Sequence, residues 1–363
     1  MTGRTGRKKL SYKMLVGQHM GVLRSLQYDS GLFAASSKDS KTGYEKSWLR
    51  DNFYECLAFV MVGDYETARK TYKALIALFL KHEYKLDHAI AMKPEHKYQY
   101  IHARYHPNTF DEFWDDWGNK QHDAVGAVLF GVGMLEGVYK VKAVETDDER
   151  RIVRKLVEYL GSTMYWCDPD SGMWEEDEEI HASSVGACVA GLIAIGKHTD
   201  IPVPREYIIA GKKALSALLP RESKRKFVDL ALLSLIYPYD VVTARQRNEI
   251  LTNVEYHLLK KKGIIRYKGD HYYNKNEDGY SEEAEWTFGF SWLAIIYERM
   301  GKKRKAREYI DKAIGTINER GEIPELYFSN TEKFVNSPLG WAESMFIIAL
   351  YGFNEKHSGK KGI

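Results

Sequence analysis

AVGAVLFGVGML (124–135), SSVGACVAGLIAIG (183–196), WTFGFSWLAIIY (286–297) and FIIALYGF (346–353) contain no charged residue. A helix that is apolar all round has no face to offer water and is buried. The segments between them are built differently. DDERRIVRKLVEYL (147–160) and KKRKAREYIDKAI (302–314) put apolar residues at helical spacing on one face and charges on the rest, the pattern of a helix on the surface. Working outward from these runs, helical spacing predicts helices over 10–27, 51–62, 65–84, 121–140, 147–163, 182–196, 204–218, 226–236, 241–260, 284–299, 303–319 and 339–352. Little period-2 alternation of β-branched residues competes with them. Six buried helices alternating with six exposed ones predict an all-α (α/α)6 barrel, an inner ring wrapped by an outer one. A helical-repeat superhelix is the alternative fold, but no fixed-period repeat is present. The longest irregular stretches expected are 86–118, 164–181, 261–283 and 320–338, and long loops inside a compact unit are usually functional.

Composition excludes several classes. The chain has 363 residues, 44% hydrophobic and 28% charged, with a formal net charge of +3. That charge is too small and too dispersed for a nucleic-acid partner. Three cysteines, Cys56, Cys167 and Cys188, form neither a disulfide framework nor a CxxC zinc site. The start, MTGRTGRKKLSYKM, is basic without an apolar h-region, so no signal peptide is read there. No apolar run reaches the ~18 residues of a membrane span. The expectation is one domain over 1–363 in the cytoplasm, with a flexible basic N-terminus over 1–9. No metal, cofactor, nucleic-acid or membrane partner is expected, and oligomeric state is left open.

In such a barrel the inner helices run parallel, so every connection from an outer helix to the next inner one arrives at the same end. The loops of that kind carry SWLRD (47–51), DDWGNKQHD (115–123), MWEED (173–177), IRYKGD (265–270) and IPELYF (323–328). Trp48, Trp114, Trp117, Trp166, Trp174, Trp286 and Trp341 lie in such loops or at the start of the next inner helix. Indole and phenol faces stack on sugar rings, while Arg, Asp and Gln bond their hydroxyls. An aromatic mouth rich in carboxylates therefore points to carbohydrate. Hydrolysis of a glycosidic bond needs two carboxyl groups, a protonated acid and an ionised partner. Glu175 and Glu176 follow Trp174, and an indole beside a carboxyl favours its protonated form. Glu325 follows Pro324 in the loop before the last inner helix. A lone loop glutamate is ordinarily a solvated charge, so context decides both. A lyase or epimerase on the same barrel remains open, because His102, His106, His122, His181 and His271 are near the mouth.

Trp48-x-Arg50-Asp51, Ile101-His102-Ala103-Arg104-Tyr105, Asp116-Trp117-Gly118-x-x-Gln121-x-Asp123, Trp174-Glu175, Ala182-Ser183-Ser184-Val185-Gly186, Arg266-Tyr267-x-x-Asp270, Glu283-x-Glu285-Trp286, Pro324-Glu325 and Pro338-x-Gly340-Trp341 occur in one order over positions 48–341. In this the chain resembles glycoside hydrolase family 15, the glucoamylase family. Within it the nearest likeness is to the glucoamylase-like domain of the phosphorylase kinase α and β regulatory subunits. The resemblance implies an (α/α)6 barrel and exo-acting hydrolysis of α-glucosides with inversion. It implies Glu175 as general acid and Glu325 as general base, with Arg50 and Asp51 on the terminal glucose. Trp48, Trp117, Gln121, Glu176 and Arg266 match positions around the first sugar subsites. The carboxyls of an inverting pair stand roughly 6.5–9.5 Å apart. The β-sandwich of prokaryotic glucoamylases and the starch-binding module of fungal ones have no room here. A small substrate of isomaltose or maltose type is therefore expected, with trehalose as an alternative. A non-catalytic sugar-sensing protein is the second functional reading.

Overall fold

The computed structural model describes residues 11–115, 117–273 and 282–357. The N-terminal segment 1–9 and Asp116, both used above, lie outside the described residues. Six helices form an inner ring: α2 (Leu49–Val62), α5 (His122–Met134), α7 (Ala182–His198), a 3-10 helix (Leu230–Leu235), α10 (Phe288–Arg299) and α12 (Gly340–His357). Each touches the next, and α12 closes the ring on α2. Around it lie α1 (Tyr12–Ser25), α3 (Tyr65–Lys81), α6 (Asp147–Thr163), α8 (Arg205–Leu218), α9 (Ala244–His257) and α11 (Lys303–Ile314). This is the (α/α)6 barrel expected from the alternating runs.

Burial follows the sequence pattern. Every residue of α2 from Leu49 to Val60 is buried. α6 buries one stripe, Ile152, Val153, Leu156, Val157, Tyr159 and Leu160, with Gly161 and Thr163 at its end. α6 starts where it does because Thr146 and Glu149 form a reciprocal capping box, with Asp147, Asp148 and Glu149 at the positive end of the helix dipole. α2 stops at Gly63, whose φ of 86° is left-handed. α5 and α7 make the closest inner contact. A Cβ on Gly126 would stand 2.6 Å from the Ala187 carbonyl carbon, so only glycine permits that approach.

Three expectations need correction. The helix expected over 226–236 is a 3-10 helix over Leu230–Leu235. Asp229 caps its first turn by accepting from the Ala231 N–H, and the Leu230 N–H bonds the Arg266 carbonyl instead of continuing a helix. The helix expected over 65–84 ends at Lys81, and α4 (Glu83–Ala91) follows inside the stretch read as irregular. Its apolar side, Leu86 and Ala89, packs inward. The helix expected over 121–140 turns into a π-helical segment over Leu135–Tyr139.

Among the described residues the mouth also holds five two-residue strands that alternation over so few residues could not announce. β1 (Ser47–Trp48) pairs antiparallel with β2 (Arg104–Tyr105), tying the loop before α2 to the loop before α5. β3 (Glu285–Trp286), β4 (Leu326–Tyr327) and β5 (Phe334–Val335) tie the loop before α10 to the loop before α12. No described helix is long and apolar enough to cross a membrane.

Candidate active site

At the loop end of the barrel lies a cavity of about 80 Å³ that opens to solvent. Tyr44, Trp48, Arg50, Asp51, Trp174, Glu175, Arg266, Tyr272, Trp286, Glu325 and Trp341 line it. Glu175 and Glu325, separated by 150 positions, thus face one space.

Glu175 is presented by a tight hairpin. The backbones of Asp170 and Glu179 bond reciprocally at 2.8 and 3.0 Å, and the Glu176 N–H bonds the Ser171 carbonyl. Glu175 itself sits at a φ of 64°. A left-handed non-glycine residue is strained, and such strain clusters at functional sites. Gly118 allows the hairpin to close, since a Cβ there would meet the Glu175 carbonyl oxygen at 2.6 Å. The Glu175 Oε1 accepts from Trp48 Nε1 at 2.8 Å and from Arg50 Nη2 at 3.3 Å. No described residue donates to its Oε2. Burial pushes the Glu175 carboxyl up to about 7; Arg50 opposes this, Asp51 adds to it, and Arg104 and the Trp48 N–H pull it back. Its side chain keeps 23% of its surface open to the cavity, so the proton has a path outward.

Glu325 is held more completely. Its N–H bonds the Asn336 carbonyl at 3.0 Å and its carbonyl accepts from the Thr287 N–H at 3.2 Å. Oε1 accepts from the Tyr44 hydroxyl at 2.8 Å, and Oε2 accepts from Asn336 Nδ2 at 2.6 Å. Burial pushes this carboxyl too up to about 7, against Asn336, Tyr44 and Arg266. The two glutamates therefore differ less in field than in bonding. Both oxygens of Glu325 accept hydrogen bonds from neutral donors, which fits the ionised form. Glu175 has one oxygen held and one free, which fits a carboxyl that delivers a proton.

The other expected site residues fall into two sets. Trp48, Arg50, Asp51 and Arg266 line the cavity. Arg50 is fixed by Asp123 at 2.7 Å and Gln121 at 2.9 Å. Burial pushes the Asp51 carboxyl up to about 6, and Arg50 partly offsets this. Arg266 is buried among Trp174, Trp286 and Tyr272, with its guanidinium carbon 5.3, 4.9 and 4.9 Å from their ring centres. It is clamped by both oxygens of Asp270. Trp117, Gln121 and Glu176 do not line this cavity. Gln121 stands behind Arg50. Trp117 stands behind Trp48, stacked on His102 at 5.5 Å. Glu176 belongs to an adjoining groove and accepts from Arg266, Lys226 and Tyr267 at 2.7–2.8 Å. Burial alone would raise its carboxyl, but Arg266 and Lys226 outweigh it and hold the group below its ordinary value. Two tryptophans leave the site altogether: Trp114 is 90% exposed, and Trp166 packs on Tyr165 and Tyr207. Sequence reading missed Tyr44, Tyr272 and Asn336. A polar loop residue that bonds a carboxylate 281 positions away leaves no local signature. No group of three metal-ligating side chains is found among the described residues.

Comparison with known proteins agrees with this fold. Residues 12–349 match glycosyl hydrolases family 15. A probable phosphorylase b kinase regulatory subunit alpha of Drosophila melanogaster is 26% identical over 404 residues, covering 91% of this chain and 31% of that protein. The chain thus spans about a third of that relative's length. A wild-type glycosidase superposes with a TM-score of 0.81 at 18% identity, covering 94% of this chain and 97% of its own. A bacterial glucoamylase complexed with acarbose gives 0.67 at 18% identity, covering 95% and 56%. At such identities the superpositions speak for the fold.

Proposed function

Because this chain belongs to glycoside hydrolase family 15, we propose that it is an exo-acting, inverting α-glucoside hydrolase. It releases β-glucose from the non-reducing end of small α-gluco-oligosaccharides of isomaltose or maltose type. The observation that carries the reading is the unequal bonding of two carboxyls on one cavity. Glu175 Oε2 gives its proton to the glycosidic oxygen as the bond to the sugar's anomeric carbon breaks. Glu325 takes a proton from a water that attacks that carbon from the opposite face. The cycle leaves Glu175 ionised and Glu325 protonated, and exchange with solvent resets both. The Trp48 and Trp341 indoles line the cavity as apolar walls for the sugar, and the Arg50–Asp51 pair offers polar partners for its hydroxyls. The barrel interior below the cavity is filled, with Tyr54, Glu55 and Trp292 fully buried. A chain end enters such a site and a chain middle does not. Cys56, Cys167 and Cys188 are free, which suits the reducing cytoplasm.

The test is glucose release from maltose, isomaltose, longer α-1,4 and α-1,6 glucans, kojibiose, nigerose and trehalose, with Glu175→Gln as control. Release that the substitution abolishes supports the reading. A sugar-sensing protein is the second reading, favoured by the regulatory-subunit names of its relatives. Silence across the panel, with sugar binding still seen by calorimetry, selects it.

A further inference from the structure

β1 and β2 place Trp48 directly opposite Arg104, and opposed residues of an antiparallel pair project from the same face. The consequence is a clamp. The Arg104 guanidinium carbon lies 4.1 Å from the Trp117 ring centre, 5.5 Å from Trp48 and 5.6 Å from Phe113. The residue is only 7% exposed. One hydrogen-bonded partner, Asp115, meets its outer edge. Its Nε, turned inward, is buried without a hydrogen-bond acceptor among the described residues. Burying a guanidinium against three rings with a single half-exposed counter-ion costs free energy, and packing alone would be met more cheaply by an apolar side chain.

We infer that Arg104 is a positioning residue for the Glu175 acid: it pins the Trp48 indole whose N–H holds Glu175 Oε1, and it supplies a cation to that side of the cavity. The inference rests on Glu175 being the general acid. The charge has a definite effect there. Arg104 favours the ionised form of Glu175, as do Arg50 and the Trp48 N–H, while burial and Asp51 favour the protonated form. The Tyr44 and Tyr272 hydroxyls complete the titratable groups that feel Glu175. Around Arg104 itself stand Asp115 and His102, with Lys85 and Lys46 one step further out. Without Arg104, Glu175 would hold its proton to higher pH and give it up less readily to the leaving group. Arg50 already acts on Glu175 through its Nη2 on Oε1 and is fixed there by Asp123 and Gln121, so it does not move to make up the loss of Arg104.

The test compares Arg104→Met, which keeps volume and loses charge, with Arg104→Lys, which keeps the charge. In the full chain, kcat and KM are read across pH on whichever α-glucoside the wild type cleaves, with circular dichroism as the folding check. For Arg104→Met the basic limb of the kcat/KM profile is expected to rise by about one unit. Its kcat should fall roughly tenfold with KM nearly unchanged. Arg104→Lys should return the limb most of the way to its wild-type position. The Glu175 carboxyl is titrated in parallel by carbon NMR, with its resonance assigned by its loss in Glu175→Gln, a readout that needs no turnover. An unmoved Glu175 titration in folded Arg104→Met overturns the inference, as does a lysine variant as displaced as the methionine one. A shifted titration in a protein that cleaves nothing leaves the clamp standing and removes the hydrolase reading instead.

Discussion

The Tyr44 hydroxyl donates to Glu325 Oε1 at 2.8 Å, and the Tyr272 hydroxyl stands 3.0 Å from the same phenol oxygen. A donor to an ionised carboxylate stabilises the charged form. Tyr44→Phe removes that donor and leaves Asn336 Nδ2 alone on the carboxylate. Glu325 then ionises at higher pH, so the acid limb of the kcat profile moves upward. The lost orientation of the base is expected to lower kcat by about 10- to 100-fold. A profile and kcat matching the wild type would detach Tyr44 from the mechanism.

Glu175→Gln and Glu325→Gln should each fold and lose about 100- to 10,000-fold in kcat, the range over which a positioned acid or base contributes. Circular dichroism and kcat for the purified variants decide this. Near-wild-type turnover by either one would remove that carboxyl from its role.

The same carboxyls set a stability test whose sign is fixed. Glu325 is raised to about 7 in the folded protein, while the unfolded chain ionises near the ordinary ~4.3. Between those values the folded state holds a proton that the unfolded state has released, so stability falls as pH rises through that window. Glutamine never ionises and escapes the loss. At pH 8 Glu325→Gln should therefore be the more stable protein by about 3–4 kcal/mol, and the advantage should vanish near pH 4.5. Thermal melts at both pH values measure it, and equal melting temperatures at pH 8 would mean that burial does not raise the carboxyl.

Inversion is checked by the anomer released. With Glu325 activating water on the face opposite the leaving oxygen, proton NMR of the first minutes of reaction should show β-glucose before mutarotation sets in. α-Glucose appearing first would make the second carboxyl a nucleophile.

Much of this was legible in the sequence, for identifiable reasons. Inner helices announce themselves because a segment buried on every side carries long runs without charge, and outer ones because they must show water one face. Trp174-Glu175 and Pro324-Glu325 stood out as short motifs on loops of the right class. Tyr44 and the Trp48–Arg104 pairing were not legible, because each acts through a partner far away in sequence, and Asn336, eleven positions from Glu325, carries no motif that marks a loop amide as a carboxylate's donor. Trp114 and Trp166 misled for the complementary reason: the loop class fixes which end of the barrel a residue reaches, and only packing fixes where its side chain points. The 3-10 helix at Leu230–Leu235 was read as an ordinary helix because LALLSL carries apolar residues without saying that the Leu230 N–H is spent on the Arg266 carbonyl.

Two glycines give opposite expectations from one substitution. Gly17, on exposed helix α1, has nothing within 4 Å of an added Cβ. Gly17→Ala should raise stability by about 0.5–1 kcal/mol, since alanine loses less backbone entropy in a helix, and should leave activity alone. At Gly118 the added Cβ would meet the Glu175 carbonyl oxygen at 2.6 Å and the Ser171 Cβ at 3.0 Å. Neither neighbour is the far end of a flexible side chain, so the hairpin that aims Glu175 must move. Gly118→Ala should lose about 1–3 kcal/mol of stability by overpacking. Because a displacement of about 1 Å at a reacting group can cost about 100-fold, its kcat should fall far more than that stability loss alone would cause in a protein still folded at assay temperature. Urea melts and kcat for the two variants, measured side by side, separate the cases. A folded Gly118→Ala with wild-type kcat would show that the hairpin has slack and that the strain at Glu175 does not serve its aim.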